Sequence, residues 1–299
     1  MKYLTFLLIF TLFSCASHSG DTNAFRVAVL RGPSALAFAD WMGDEVPVIG
    51  KDTCRIKWVD TPEQMQALLV KHEADMAVLP MISAANLYNK GIDYSLLGCP
   101  LWGTLYLVSK GDIHPPVYLF GRGTTPDILA RHALDSLKQE DFNYTFASAG
   151  EVLQALLLGK AETAVLSEPF LSAALRRDSS LQIAANLNRP HGTLPGFPQT
   201  AIVCSSAALA YRPTLDSLLR QSCIFANAHP EEAIRRLEEA GVFAPGMLTP
   251  ESVHRCGIHY RTAQEAATVI SSFLELVWQT EPQAIGGKLP DSTFIVPRP

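Results

Sequence analysis

Few segments of this chain combine residues that could contact a small molecule. Two carry glycines directly after short apolar runs: Arg31-Gly32-Pro33-Ser34 follows Phe25–Leu30, and Gly121-Arg122-Gly123-Thr124-Thr125-Pro126-Asp127 follows Val117–Phe120. Glycine permits close backbone approach, and neighbouring hydroxyls both donate and accept hydrogen bonds. Pro80, Met81 and Ser83 follow a second apolar run, Ser148 opens a helical stretch, and Ser167, Glu168 and Pro169 follow Ala164–Leu166. Backbone N–H groups at such strand-to-helix turns favour anions or polar acceptors. The candidate ligand contacts are therefore Gly32, Pro33, Ser34, Pro80, Met81, Ser83, Gly123, Thr124, Thr125, Ser148, Ser167 and Glu168, with Trp102 as a face for a planar ligand. Ser34, Thr124, Thr125 and Ser148 serve equally well as helix N-caps, and Glu168 as a helix-start acid. Trp41 reads better as core. Arg31 and Arg122 flank the two loops and suit an acidic ligand, or else point to solvent.

Enzymatic signatures are missing. The chain has no GxxxxGK[ST] phosphate loop, no HExxH and no GxSxG elbow. Gly121 and Gly123 lack the third glycine of a dinucleotide fingerprint. His254, Cys256 and His259 are metal-capable, but Pro250 and Gly257 interrupt the segment and no acid completes a set. No catalytic residue, metal or cofactor is expected. The 299 residues are 48% hydrophobic and 18% charged, with a net charge of −5 and no basic block. That balance excludes disorder as the main state and makes nucleic acid an unsuitable partner.

The elements that must position these residues repeat once. TPEQMQALLVKHEADMAVLP from Thr61 matches AGEVLQALLLGKAETAVLSEP from Ala149, with Gln66–Leu69 on Gln154–Leu157 at an offset of 88 and Ala77–Leu79 on Ala164–Leu166 at 87. Each copy reads as an amphipathic helix, a turn and an apolar strand, with start signals at Thr61-Pro62 and at Ser148-x-x-Glu151. The two glycine loops stand upstream of the two copies, with helical ALAFADWM after the first and ILARHALDSL after the second. Each half thus alternates strands and helices, which predicts two α/β lobes, each a parallel sheet covered by helices with ligand loops beyond the strands' carboxyl ends. A solenoid needs three or more repeats and is excluded. Residues 206–280 read as mainly helical, and 281–299 as a wrapped extension. Two crossings, near Leu105–Ser109 and Gln199–Cys204, make a two-strand hinge. The expected division is 25–105 plus 205–299 for one lobe and 106–204 for the other, including the hinge strands.

Met1-Lys2 and the apolar run Tyr3–Phe13 fit a signal peptide over 1–14 and are too short to span a bilayer. Leu12-Phe13-Ser14-Cys15 resembles the bacterial lipobox, which implies lipidation at Cys15, a tether over 15–24 and a location in the cell envelope, periplasmic or otherwise extracytoplasmic. Phe13 is bulkier than most lipoboxes carry there. Cys54, Cys99, Cys204, Cys223 and Cys256 form no CxxC pair, and the sequence selects no disulfide among them.

Taken in order, LRGPSALAFADWM (Leu30–Met42), AVLPMISAANLYNKG (Ala77–Gly91), WGTLYLVS (Trp102–Ser109), GRGTTPDIL (Gly121–Leu129) and AVLSEPF (Ala164–Phe170) resemble ABC-transporter solute-binding proteins. The branch is the nitrate/sulfonate/taurine and thiamine-pyrimidine-precursor type. The order of the segments, not any one of them, carries the resemblance, and it spans nearly the whole mature chain. It implies the type II periplasmic binding protein fold and capture of a small polar, anionic or heteroaromatic ligand between the lobes. It further implies a monomer that delivers this ligand to an ABC permease with its ATPase, without chemistry on it. The family often shows an acid-proline pair where Glu168-Pro169 stands. Two alternatives use the same lobes. Enzymes of thiamine-pyrimidine or menaquinone-precursor synthesis would be cytosolic, against the export signal, and the pyrimidine synthases carry a cysteine-rich iron-binding segment that this chain lacks. An exported sensor module is the other. The ligand itself stays open among sulfonate, nitrate, pyrimidine and others.

Overall fold

A computed structural model describes residues 24–188 and 196–295. The expected signal peptide, Cys15 and nearly all of the tether lie outside the described residues. Among those described, no helix is long and apolar enough to cross a membrane.

Apolar strands form two sheets. The first runs in the order β12 (Ile258–Thr262), β5 (Ser95–Leu101), β11 (Thr200–Cys204), β4 (Met76–Pro80), β1 (Ala24–Leu30), β3 (Asp52–Val59) and β2 (Val48–Ile49). The second runs β10 (Gln182–Asn186), β6 (Leu105–Ser109), β9 (Thr163–Ser167), β7 (Val117–Tyr118) and β8 (Phe142–Asn143). Both are mixed rather than wholly parallel as expected. β1, β3, β4 and β5 run together while β2, β11 and β12 run against them. In the second sheet only β6 runs against its neighbours. β6 and β11 are the strands by which the chain enters each sheet from the other. Leu105 opens β6 beside Ser167 at the carboxyl end of β9, and Thr200 opens β11 beside Pro80 and Leu101 at the carboxyl ends of β4 and β5. Strands that enter at a carboxyl edge must run backward, and both carboxyl edges therefore face the crossings. β11, assigned above to the second lobe, hydrogen-bonds along its length in the first sheet.

The repeated units fold alike. α1 (Pro62–Val70) leads into β4 and α4 (Ala149–Leu157) leads into β9. Thr61 caps α1 by accepting from Gln64 N at 3.2 Å, and Ser148 caps α4 by accepting from Glu151 N at 3.2 Å. Met65, Leu68 and Leu69 of α1 are buried, as are Val152, Leu153, Ala155 and Leu156 of α4. Each fully buried leucine contributes roughly 1.5–3 kcal/mol. α2 (Met81–Asn89), α3 (Thr125–Ala133) and α5 (Phe170–Arg177) follow β4, β7 and β9.

ALAFADWM departs from its helical expectation. It forms tight 3-10 turns over Pro33–Phe38 and Asp40–Met42, with i→i+3 bonds such as Ala39 N to Leu36 O. Residues 34–39 are all buried, so the segment has no solvent face of the kind an amphipathic helix presents. Trp41 is core, edge-on to Phe38 at 5.1 Å between ring centroids. β12 interrupts the stretch read as mainly helical. Its Ile258 and Tyr260 point inward with exposed His259 between them, a period-2 pattern.

The other C-terminal elements, α6 (Arg212–Ala228), α7 (Pro230–Glu239) and α8 (Pro250–Arg255), pack on the β12 side of the first sheet. α9 (Ala267–Thr280) leans on α3. Phe197 stands between them, 5.7 Å from Phe273 and 5.9 Å from His132 by ring centroids. One apolar cluster consequently runs from Leu79 and Leu96 of the first sheet to Ile128 of α3 and Val165 of the second sheet.

All five cysteines among the described residues are buried and unpaired. Burial pushes the thiols of Cys54 and Cys223 up to about 12 and raises those of Cys99, Cys204 and Cys256 as well. A thiol reagent at pH 8 should label none of the five in the native chain lacking residues 1–15 and all five in denaturant without reductant. Rapid native labelling, or fewer than five after unfolding, would contradict this assignment.

Candidate ligand-binding cleft

The crossings define the floor between the two carboxyl edges, and buried polar groups hold them. Asn188 is 3% exposed, and its Oδ1 accepts from Thr104 N at 2.9 Å, Leu105 N at 3.0 Å and Gln199 Nε2 at 2.6 Å. Its Nδ2 donates to Leu105 O at 2.9 Å. Thr104 Oγ1 donates to Gln199 Oε1 at 2.8 Å. Gly196 has φ of 119°, and a Cβ there would lie 2.0 Å from the Trp102 carbonyl oxygen. Only glycine lets the crossings approach this closely. The sequence puts Gln199 at a crossing and Thr104 just before the other, but nothing in it pairs them with Asn188, because these residues lie far apart along the chain.

Gly32, Pro33 and Ser34 follow β1. Gly32 occupies the cap position of the 3-10 turn and offers no side chain, so Ser34 is not the cap. Ser34 is 7% exposed. Arg31 pairs with Asp60 at 2.7 Å and also reaches the Gly241 carbonyl. Pro80 and Met81 form the β4–α2 turn, where Met81 N donates to Gln199 O at 3.1 Å and joins this loop to the second crossing. Ser83 lies apart from them, in a groove with Pro62, Glu63 and Asn86 between α1 and α2.

In the second sheet the turn after β7 is bound by its own helix. Gly123 N donates to the buried Asp127 carboxylate at 2.8 Å. The same carboxylate accepts from Arg131 Nε at 3.0 Å and Nη2 at 2.7 Å, and from the Tyr144 hydroxyl at 2.5 Å. Burial, and then the Asp127 hydrogen bond, push the Tyr144 phenol up to about 12. Thr124 stands at the cap position of α3, but its hydroxyl donates to the Gly121 carbonyl, and Thr125 is buried in the first turn. Arg122 lies 5.1 Å from the Tyr144 ring centroid in cation–π geometry. Ser148 is exposed and is the cap of α4.

Ser167 ends β9, and Glu168 N donates to Thr104 O at 3.2 Å. The Glu168 carboxylate is fully buried and accepts from Ser172 N at 3.2 Å, Ser172 Oγ at 3.1 Å and Arg255 Nε at 2.6 Å. Its helix-start reading thus holds, with an arginine partner that sequence reading did not find. Trp102 is 2% exposed, its indole N–H donates to His259 O at 2.6 Å, and Arg261 lies 5.4 Å from its ring centroid. Trp102, Tyr106, Asn186, His254 and Arg255 line a cavity of about 280 Å³ beside the crossings. Among the described residues no group of three or more His, Cys, Asp or Glu side chains is placed to hold a metal ion.

No protein-family model matches this chain, and no curated protein does. Solved structures do. An ABC transporter protein from Parabacteroides distasonis is 52% identical, with 91% of this chain and 98% of that one covered and a TM-score of 0.86. The periplasmic aliphatic sulphonate binding protein SsuA from Escherichia coli is 14% identical over 93% of this chain and 92% of its own, with a TM-score of 0.71. The alkanesulfonate-binding protein SsuA from Xanthomonas axonopodis pv. citri, solved with MOPS bound, is 18% identical over 91% and 97%, with a TM-score of 0.60. The two SsuA proteins share the fold, and the Parabacteroides protein carries kinship in sequence as well. Two sheets with facing carboxyl edges, joined at a buried polar node, and this identity over nearly the full length lead to one conclusion: the chain belongs to the ABC-transporter family of the Parabacteroides protein and has the periplasmic binding protein fold that the two SsuA proteins share.

Proposed function

We propose that the protein captures a small solute between the facing carboxyl edges of its two sheets and hands it to an ABC permease. The observation that carries this reading is that β6 starts beside the carboxyl end of β9 and β11 beside the carboxyl ends of β4 and β5, which supports a cleft lined by the turns after β1, β4, β7 and β9. Gly32, Pro33, Ser34, Pro80, Met81, Gly123, Thr124, Thr125, Ser148, Ser167 and Glu168 stand on or next to those edges. Ligand favours closure only through its differential affinity for the closed and open states. The reading involves no bond chemistry on the solute. It places the protein outside the cytoplasm as a monomer, held to a membrane by lipid on Cys15.

The SsuA neighbours put alkyl sulfonates first among probes, followed by nitrate, aminomethylpyrimidines and simple carboxylates. A ligand at 100 times its Kd adds about 2.7 kcal/mol, which raises Tm by several degrees. A thermal-shift screen should return one such class with the compound recovered unchanged. Chemical turnover of the hit would replace this reading with an enzymatic one. For the anchor, the wild-type protein should sediment with membranes and the C15A variant should move to the soluble fraction. An unchanged distribution would remove Cys15 from the proposal.

A further inference from the structure

The second sheet meets α8 through more than the crossings. Glu168 and Ser172, from the β9–α5 corner, contact Arg255 in the last turn of α8, whose own packing is against α6 and α7 on the first sheet. Arg255 Nε donates to Glu168 Oε1 at 2.6 Å and its Nη2 donates to Ser172 Oγ at 2.7 Å. The Arg255 carbonyl accepts from the Tyr106 hydroxyl of β6 at 2.9 Å. One residue therefore contacts the second sheet with both side chain and backbone. Farther out, Arg176 of α5 donates to Gly246 O at 2.7 Å. The carboxylate is 0% exposed, so its charge is matched by Arg255 and by two Ser172 donors rather than by water. Breaking this contact while the sheets stay in place strands a buried charge. Separating the sheets instead rehydrates both partners.

We infer that Arg255 is a positioning residue of the capture machinery: its pair with Glu168 ties the two sheets together beside the crossings and limits how far the cleft opens. The inference rests on the solute-capture reading for its meaning, but its test needs no ligand. Glu168 is thus committed to the protein's own motion, and the ligand contacts fall to the turns after β1, β4 and β7.

The experiment is a spin-label distance measurement across the cleft, on protein without added solute, with labels at K51C on the first sheet and E140C on the second. Both positions are exposed, and the native thiols are buried. In E168Q and in R255M the distance distribution should broaden and move to longer separations. The double variant should match the singles, because the pair acts as a unit. R255K, which keeps the charge and loses the fork, should fall between. R235A, whose ion pairs with Glu232 and Glu239 lie within α7, checks that a surface change leaves the distribution at wild type. Distributions that superimpose on wild type in folded E168Q and R255M would overturn the inference. If either fails to fold, R255K alone decides it: a wild-type distribution there rejects the tie, and a longer one supports it. A silent solute screen alongside lengthened distances would count against the capture reading and leave the tie standing.

Discussion

Asn188 holds together the two places where the chain passes between its sheets. Its side chain satisfies two backbone N–H groups of the first crossing and one amide of the second, and returns a donor to Leu105 O. A buried amide with this many partners is worth little if all are made and costs about 1–3 kcal/mol for each donor left alone. The requirement fixes geometry more than it adds stability. Because Thr104, Leu105, Asn188 and Gln199 must meet, β6 and β11 both start at carboxyl edges, and the two edges are brought face to face. Everything proposed about ligand capture depends on that constraint.

The turns around the cleft satisfy much of their own polarity. Asp127 binds Gly123 N, Ser148 caps α4, and Glu168 occupies the start of α5. Such turns hold their backbones in place before any ligand arrives, which lowers the ordering cost of binding. The apolar cluster through Phe197 and α9 gives the two halves a shared core as well. On the proposed reading, closure is a restrained rotation about a polar node, with a buried ion pair on one side and an aromatic contact on another.

Local signals in the sequence reached the elements well and their partners poorly. Thr61 and Ser148 announced helices because capping is a matter of three consecutive residues, and the repeat announced two similar halves. The segment 33–42 misled, since Ala, Leu and Phe at helical spacing describe a buried tight turn equally well when no face meets water. β12 begins inside HRCGIHY, where the strand alternation of Ile258, His259 and Tyr260 spans only three residues and is too short to stand out from the helical pattern around it. The Glu168–Arg255 pair spans 87 positions and the Asn188–Thr104 bond 84, and no spacing rule reaches across such distances. The candidate residues were legible as turns after strands. Which of them face the same space depended on the crossings.

The central claim is closure around a solute, and small-angle scattering tests it most directly. The protein lacking residues 1–15 would be measured alone and with the compound that stabilises it in the thermal screen, at saturation. The account predicts a smaller radius of gyration and a narrower distance distribution with the compound present. Tight, stoichiometric binding with superimposable scattering curves would contradict it.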